Sequence, residues 1–350
     1  MNDTVKLVSL ATACPRHVIL QSEARETAEQ LFSSRYREFR YLARVFDNAG
    51  ITKRHAARPL SWFAEPHGWQ DRMAAYEEVA SDLFISATTR ALARADLKAA
   101  DVDCIVTVSS TGFATPSLEA RLAGQMGFRS DIERVPVFGL GCAAGVSGLA
   151  IASRMAGSRP GAIVLFVAIE LCSLAFRLDA MTPANIVATA LFGDGAAACI
   201  LRSGSAGIAE IETTGSHLFP DTLNIMGWSI EDAGFGIILE QSLPPFAQAE
   251  VGPAIEGILA RNGLRPGDVD RFLCHPGGAK VLVALEATFG LTPGTLDHER
   301  SVVADHGNMS SPTVLFVLER AIAAGLPPRT AMVAMGPGFS ASCVTLKRAA

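Results

Sequence analysis

The feature that most constrains this chain is that its order of elements is written twice. In the first half, Asp103 to Ser109 is a short apolar, β-branched run of the kind that forms a strand buried on both faces. Gly139 to Met155 then reads as a tight Gly turn around Cys142 and an apolar helix. Ala162 to Glu170 and Gly195 to Arg202 are two more buried strands. In the second half, Asp270 to His275 matches the Asp103 run, and Gly307 to Glu319 matches the Cys142 turn and helix. Thr330 to Met335 matches the Ala162 strand, and Ser342 to Lys347 the Gly195 strand. The spacings agree: 38 residues from Cys104 to Cys142, 35 from Leu273 to Asn308. A duplicated strand–helix unit with buried strands predicts a layered α/β fold. The halves divide as 1–210 and 211–350. The first carries an extra segment, Leu171 to Gly193, that the second lacks, and an insertion in one copy is where a substrate pocket is expected. Elsewhere, the first hundred residues read mainly as helix, over Gln21 to Phe46 and Arg72 to Ala95. A helix over Ser117 to Met126 and a strand over Pro136 to Phe138 follow.

Composition narrows the function classes. With 49% hydrophobic residues, the chain can bury a core large enough to exclude disorder. Its net charge of -5 argues against a nucleic-acid partner. Arg35, Arg37, Arg40 and Arg44 recur with helical spacing on one polar stretch. The seven cysteines include no CxxC pair and no metal-ligand spacing, so a reducing compartment and no bound metal are expected. Met1 to Pro15 lacks the pattern of a signal peptide, and no apolar run reaches the roughly 18 residues of a membrane span. A cytoplasmic protein with no integral membrane segment is the expectation.

Three residues stand out chemically. Cys142 lies between a Gly turn and an apolar helix, where the helix dipole and free N–H groups favour thiolate. His275 ends a strand in His275-Pro-Gly-Gly278; taken alone it reads as a strand-end histidine satisfied by backbone. Asn308 in Gly307-Asn-Met-Ser-Ser311 reads alone as a helix cap. Together they occupy equivalent strand and helix ends of a duplicated unit, and a two-fold arrangement brings the two helix starts together. A thiol that holds an acyl group, with two donors for a developing oxyanion, is what carbon–carbon bond formation on thioesters requires.

The set Gly141-Cys142-Ala-Ala-Gly145, Phe192-Gly-Asp-Gly-Ala-Ala197, His275-Pro-Gly-Gly278, Gly307-Asn-Met-Ser-Ser311 and Gly336-Pro-Gly338 resembles the type III polyketide synthases, the chalcone synthase superfamily on the thiolase fold. The resemblance runs from about Leu7 to Lys347. It implies an α-β-α-β-α layering with pseudo-two-fold halves, and a homodimer with each active site in its own subunit. It implies that Cys142 accepts a starter from an acyl-CoA, and that His275 keeps Cys142 as thiolate. With Asn308, His275 stabilises the enolate left when malonyl-CoA loses carbon dioxide. Iterative Claisen condensation and cyclisation follow, with CoA thioesters as substrates and no cofactor. The alternative on the same fold is the β-ketoacyl carrier-protein synthase III family, which performs a single condensation. That family typically shows His-Gln-Ala-Asn where this chain has His275-Pro-Gly-Gly.

The resemblance also assigns secondary positions. Phe192 corresponds to a gatekeeper between the CoA tunnel and the cavity. Register gives Ile237 as a second gate, and a shift of two gives Phe235. Arg44, with Lys53 and Arg54 nearby, corresponds to CoA phosphate contacts. Ser110, Thr115, Ala175, Trp228 and Gly338 fall at cavity positions. Ser110 stands where bacterial tetrahydroxynaphthalene synthases carry Cys, which argues against that product. Thr115 replaces a Met that crosses the dimer interface in chalcone synthases, and Ala175 replaces a Thr; both are smaller, and Trp228 is larger than its counterpart. The resemblance to alkylpyrone and alkylresorcinol synthases implies a fatty acyl-CoA starter; a short or aromatic starter is the alternative.

Overall fold

The computed structural model describes residues 4–34, 36–180, 182–204 and 206–349. Arg35 lies outside the described residues. Nine strands form one hydrogen-bonded sheet: β1 (Val5–Ala13), β2 (Cys104–Val108), β3 (Glu133–Val137), β4 (Ile163–Leu171), β5 (Asp194–Ser203), β6 (Ala209–Leu218), β7 (Arg271–Cys274), β8 (Arg329–Gly336) and β9 (Ser340–Arg348), in the order β7-β8-β9-β6-β1-β5-β4-β2-β3. Outward from its centre, the first half runs β1-β5-β4-β2 and the second β6-β9-β8-β7. The duplication is therefore a topological fact, with β3 as the one strand of this sheet that lacks a counterpart.

The duplication extends to single hydrogen bonds. Asp103 accepts from the Ile163 N–H at 2.9 Å and Asp270 from the Arg329 N–H at 2.7 Å, each carboxylate tying the start of one strand to the next. Just upstream, Asp101 accepts from the Lys98 N–H and Asp268 from the Arg265 N–H, at 2.7 and 2.8 Å.

The halves are joined at β1 and β6 by only two register pairs, Lys6↔Glu210 and Leu7↔Ala209. The two half-sheets sandwich helices α4 (Ala144–Ala156) and α9 (Thr313–Ala324). Cys104, Val106 and Val108 face these helices from one half-sheet, and Leu273, Met332 and Val344 from the other. The alternate residues face outward, as the two-residue period of a strand requires. Ile105, Leu165 and Val167 pack under α2 (Trp69–Arg94) and α3 (Leu118–Met126). Phe272, Ala331 and Val333 pack under α6 (Gly252–Arg261) and α7 (Ala279–Thr288). These contacts give five layers, α-β-α-β-α.

Two expectations are corrected. The first hundred residues are not mainly helical at their start: β1 is central to the sheet, and its Leu7, Leu10 and Ala11 are buried. Nor is Gln21 to Phe46 one helix. Helix α1 (Gln21–Phe32) stops, and short turns follow at Phe39–Leu42 and Arg44–Asn48. The Phe32 and Phe39 rings meet at 6.0 Å, whereas seven residues of continuous helix would separate them by about 10 Å along the axis. The break is what lets the two rings meet. The boundary expected after residue 210 falls two residues inside β6.

The middle layer depends on Gly145, in the first turn of α4. A Cβ there would lie 2.2 Å from the Ser311 carbonyl oxygen, so the two halves meet here at backbone distance. Gly145→Ala is expected to cost about 1–3 kcal/mol through overpacking. Gly124→Ala, on α3 with no atom within 4 Å of the new Cβ, should be neutral or stabilising by up to about 1 kcal/mol. Urea unfolding of both variants checks the contrast, and equal behaviour would rule out the close approach.

Candidate active site

Cys142 is the middle residue of a 3₁₀ turn, Gly141–Ala143, that runs directly into α4. The preceding Gly141 has φ +49°, and a Cβ on it would sit 2.5 Å from the Pro337 ring. Its N–H donates to Ser110 Oγ at 3.0 Å, which anchors the turn to the end of β2. Asn308 precedes α9. Its Oδ1 accepts from the Ser310 N–H at 2.8 Å, which turns its Nδ2 into the cavity as a donor. A long contact of 3.4 Å to the Gly277 carbonyl is that donor's bond among the described residues. Thr313 stitches the loop by accepting from the Met309 N–H and donating to the Ser310 carbonyl, at 2.9 and 2.8 Å. His275 follows β7, with its backbone N–H on the Val333 carbonyl at 2.7 Å.

Cys142, His275 and Asn308, drawn from three separate elements, line one cavity with about 760 Å³ of space between atoms, part of it open to solvent. His275 is buried, and neither of its ring nitrogens has a hydrogen-bond partner among the described residues. Buried ring nitrogens without a protein partner call for one from water or a ligand. Burial pushes the Cys142 thiol up to about 12 and the His275 imidazole down to about 4. Desolvation is the largest cause of both shifts, and each group taken singly is neutral.

Beneath the site lies Glu170, at the end of β4 and fully buried. It accepts from the Ser110 N–H at 2.9 Å, Thr111 Oγ1 at 2.7 Å and Ser311 Oγ at 3.1 Å. It therefore ties the Cys142 side of the site to the loop that follows Asn308. Sequence inspection passed over it; the signal was a lone acid inside an otherwise apolar strand.

The insertion forms the cavity wall, as its presence in only one half suggested. Helix α5 (Pro183–Leu191) ends at Phe192. Asn308 N–H donates to the Leu191 carbonyl at 2.8 Å, and Gly193 N–H to the Asn308 carbonyl at 3.0 Å, so the insertion is paired to the Asn308 loop. Phe192, Ile237 and Trp228 line the cavity, and the Phe192 and Trp228 rings meet at 6.2 Å. Of the two candidates for a second gate, Ile237 is the one on the wall. Phe235 instead packs between Trp69 and Trp228.

Other assignments are corrected. Ser110 is buried with its hydroxyl on the Gly141 N–H, and does not line the cavity. Ala175 is buried behind the wall, while its neighbours Cys172 and Phe176 reach cavities. Gly338 is replaced on the wall by Pro337. Thr115 is exposed on the single chain, where a position expected at a subunit interface would lie. Arg54 is buried rather than offered to a phosphate. Its guanidinium donates to the Thr189 and Phe192 carbonyls, at 2.6 and 3.0 Å, and to Gln21 Oε1. It holds the Phe192 backbone in place. Arg44 is exposed and Lys53 half-buried, so both stay available to an anion.

A second, mostly apolar cavity of about 640 Å³, also partly open, adjoins the first. Cys172, Phe192 and Ile237 line both and form the partition between them. Sequence reasoning found two of these three; Cys172 was counted only as one thiol of seven.

Comparison with known proteins decides the lineage. The N-terminal domain of the chalcone and stilbene synthases matches residues 2–205, and their C-terminal domain matches residues 210–346. The chain belongs to this family, the type III polyketide synthases. It is 39% identical to the 1,3,6,8-tetrahydroxynaphthalene synthase of Streptomyces peucetius subsp. caesius, over 97% of this chain and 92% of that one. It is 31% identical to the alpha-pyrone synthesis polyketide synthase-like Pks18 of Mycobacterium tuberculosis, over 89% and 81%. The solved 1,3,6,8-tetrahydroxynaphthalene synthase of Streptomyces coelicolor A3(2) superposes with a TM-score of 0.93 at 30% identity, covering 99% of both chains. No helix among the described residues is long and apolar enough to cross a membrane.

Burial raises the Glu170 carboxyl from 4.5 to about 7. Between those values the folded state holds a proton that the unfolded state has released, so stability falls as pH rises through this window. Glu170→Gln mimics the neutral acid. Its stability relative to wild type should improve from pH 4.5 to pH 7.5, read by urea denaturation at both. A difference that does not change with pH would remove the buried, protonated carboxyl from the account.

Proposed function

We propose that Cys142 takes an acyl group from a CoA thioester, and that His275 and Asn308 stabilise the negative oxygen that develops during chain extension. The observation that carries this reading is the convergence of the three side chains on one cavity, with both His275 nitrogens unpartnered among the described residues. Since each group alone is neutral, the nucleophile forms by proton transfer from Cys142 to His275. The resulting ion pair offsets the desolvation that neither charge could bear alone. The thiolate attacks the starter thioester, its C–S bond forms, and CoA leaves as thiolate. Malonyl-CoA then loses carbon dioxide, and its enolate oxygen takes hydrogen bonds from His275 and from Asn308 Nδ2. The enolate carbon attacks the Cys142 thioester; a C–C bond forms and Cys142 leaves as thiolate. Return of the lengthened chain to Cys142 starts another round. This chemistry calls for no redox cofactor or metal in the reaction.

The product we favour is an alkylpyrone or alkylresorcinol made from a fatty acyl-CoA. Its support is the apolar cavity behind Cys172, Phe192 and Ile237, whose lining of Ala24, Ala28, Leu31, Phe63 and Ala188 suits an alkyl tail and not a phosphate. A second reading, tetrahydroxynaphthalene built from malonyl-CoA alone, is favoured by the 39% relative. The Ser110 argument against it loses its geometry, because Ser110 does not face the cavity. Arg44 and Lys53 are proposed to meet the CoA phosphates. A cytoplasmic homodimer is proposed; the exposed Phe113 and Phe138, 53% and 55% accessible, offer it an apolar face next to Thr115. Sedimentation velocity should give twice the mass of one chain.

Cys142 should be alkylated by iodoacetamide at neutral pH ahead of the six other thiols, and His275→Gln should slow it about a hundredfold. Uniform labelling across all seven cysteines would contradict the pairing. Malonyl-CoA with a ladder of acyl-CoA starters should yield pyrones or resorcinols that Cys142→Ala does not make. Ala188→Leu, which fills only the second cavity, should shift the preferred starter to shorter chains. Tetrahydroxynaphthalene from malonyl-CoA alone would establish the second reading. A single condensation on a carrier protein would point to an initiation synthase.

A further inference from the structure

Away from the catalytic cavity, Cys14, His55 and His306 come together from three distant parts of the chain. Cys14 follows β1, His55 lies in the strand Lys53–Ala56, and His306 ends helix α8 (Asp297–His306). One ligand atom from each lies within 4.8 Å of the other two. We propose that these three side chains bind a single zinc-like divalent ion, with a water in the fourth position, as a clamp beneath the Asn308 loop.

The distances fit the ion. Zn–S of about 2.3 Å and Zn–N of about 2.05 Å at a tetrahedral angle place sulfur and nitrogen about 3.6 Å apart. Cys14 Sγ and His306 Nδ1 are 3.6 Å apart. The donors fit as well. Nδ1 of His55 is 2.8 Å from the Pro15 carbonyl and donates to it, which leaves the lone pair on Nε2 and orients the ring. The His55 and His306 rings are nearly parallel, 21° apart with centroids at 5.7 Å, and the Phe316 ring packs edge-on against His306 at 4.9 Å. All three ligands are half-buried, so an ion can enter and still be partly shielded. One thiolate and two imidazoles select zinc over magnesium or calcium. On binding, the Cys14 thiol proton is released to solvent and an S–metal bond replaces it.

The position gives the site its consequence. His306 is two residues before Asn308, and His55 is next to Arg54, which holds the Phe192 carbonyl. An ion here would link β1, the Lys53–Ala56 strand and the Asn308 loop without touching substrate. Sequence inspection expected no metal because the ligands are 41 and 251 residues apart, which no spacing motif covers.

The test uses the full chain, stripped with a chelator and titrated with Co²⁺. The expected result is a thiolate-to-cobalt charge-transfer band with tetrahedral visible bands, saturating at one equivalent per chain and displaced by Zn²⁺. One equivalent of Zn²⁺ should also raise the Tm. Cys14→Ser should abolish the charge-transfer band, and His55→Gln should weaken binding and remove the Tm increase. Circular dichroism checks that each variant is folded; if Cys14→Ser is not, His55→Gln decides. Absence of the band in wild type, or its persistence at one equivalent in the folded variants, would overturn the proposal. The first outcome would leave Cys14 and His306 as a plain S–H···N hydrogen bond, and the second would move the cobalt to another thiol.

Discussion

The approach of α4 to the loop before α9 is the constraint on which the rest of the molecule depends. Two copies of one strand–helix unit stack with their helices between their sheets, and the helix starts pass at backbone distance where Gly145 faces the Ser311 carbonyl. Any side chain at 145 would push the halves apart. With them would go Cys142, three residues upstream of Gly145, and Asn308, three residues upstream of Ser311. Glu170 lies under the same junction and hydrogen-bonds to both sides of it. Its buried carboxyl is bonded to neutral donors, Ser110, Thr111 and Ser311, and burial holds it near neutrality. A permanently charged group there would burden the fold.

The same burial governs the chemistry. A cavity that excludes water strengthens hydrogen bonds to a developing oxyanion but penalises a lone thiolate or imidazolium. Cys142 and His275 are displaced in opposite directions by the same desolvation, each toward its neutral form. The reactive state proposed for them is therefore a property of the pair, and neither residue's isolated pKa describes it.

How much was readable beforehand differs by element. Strands β2, β4, β5 and β8 were legible because burial on both faces leaves a mostly apolar run, and β9 because it repeats the place of β5 in the duplicated order. β1 was missed because Lys6, Ser9 and Thr12 break its run, and its place at the sheet centre is set by partners more than 180 residues away, such as Ser203 opposite Val5. The helix break after Phe32 was invisible because it serves a ring contact and carries no Pro or Gly signal. The Cys142, His275 and Asn308 trio proposed to be catalytic was legible because Gly turns and helix starts mark it locally. Cavity lining was not: Ala175 and Gly338 each sit one residue from a group that does face a cavity, Ser110 turns its hydroxyl to the Gly141 N–H, and side-chain direction at a chain bend is a three-dimensional property. Arg54 shows the same limit, since a basic residue in sequence does not reveal that backbone carbonyls will enclose it.

Sequence alone determined the duplication, the layered α/β class, the family and the identity of the Cys, His and Asn. Each of these is encoded in local pattern: apolar runs, Gly turns and short motifs that need no partner to be recognised. Only the tertiary structure decided which side chains face the cavity and that Cys172, Phe192 and Ile237 divide it from an apolar neighbour. Only the fold, too, assembled Cys14 with His55 and His306, and set the charge state of the buried groups. Those properties depend on desolvation and on contacts between residues tens to hundreds of positions apart, and both exist only once the chain has closed on itself.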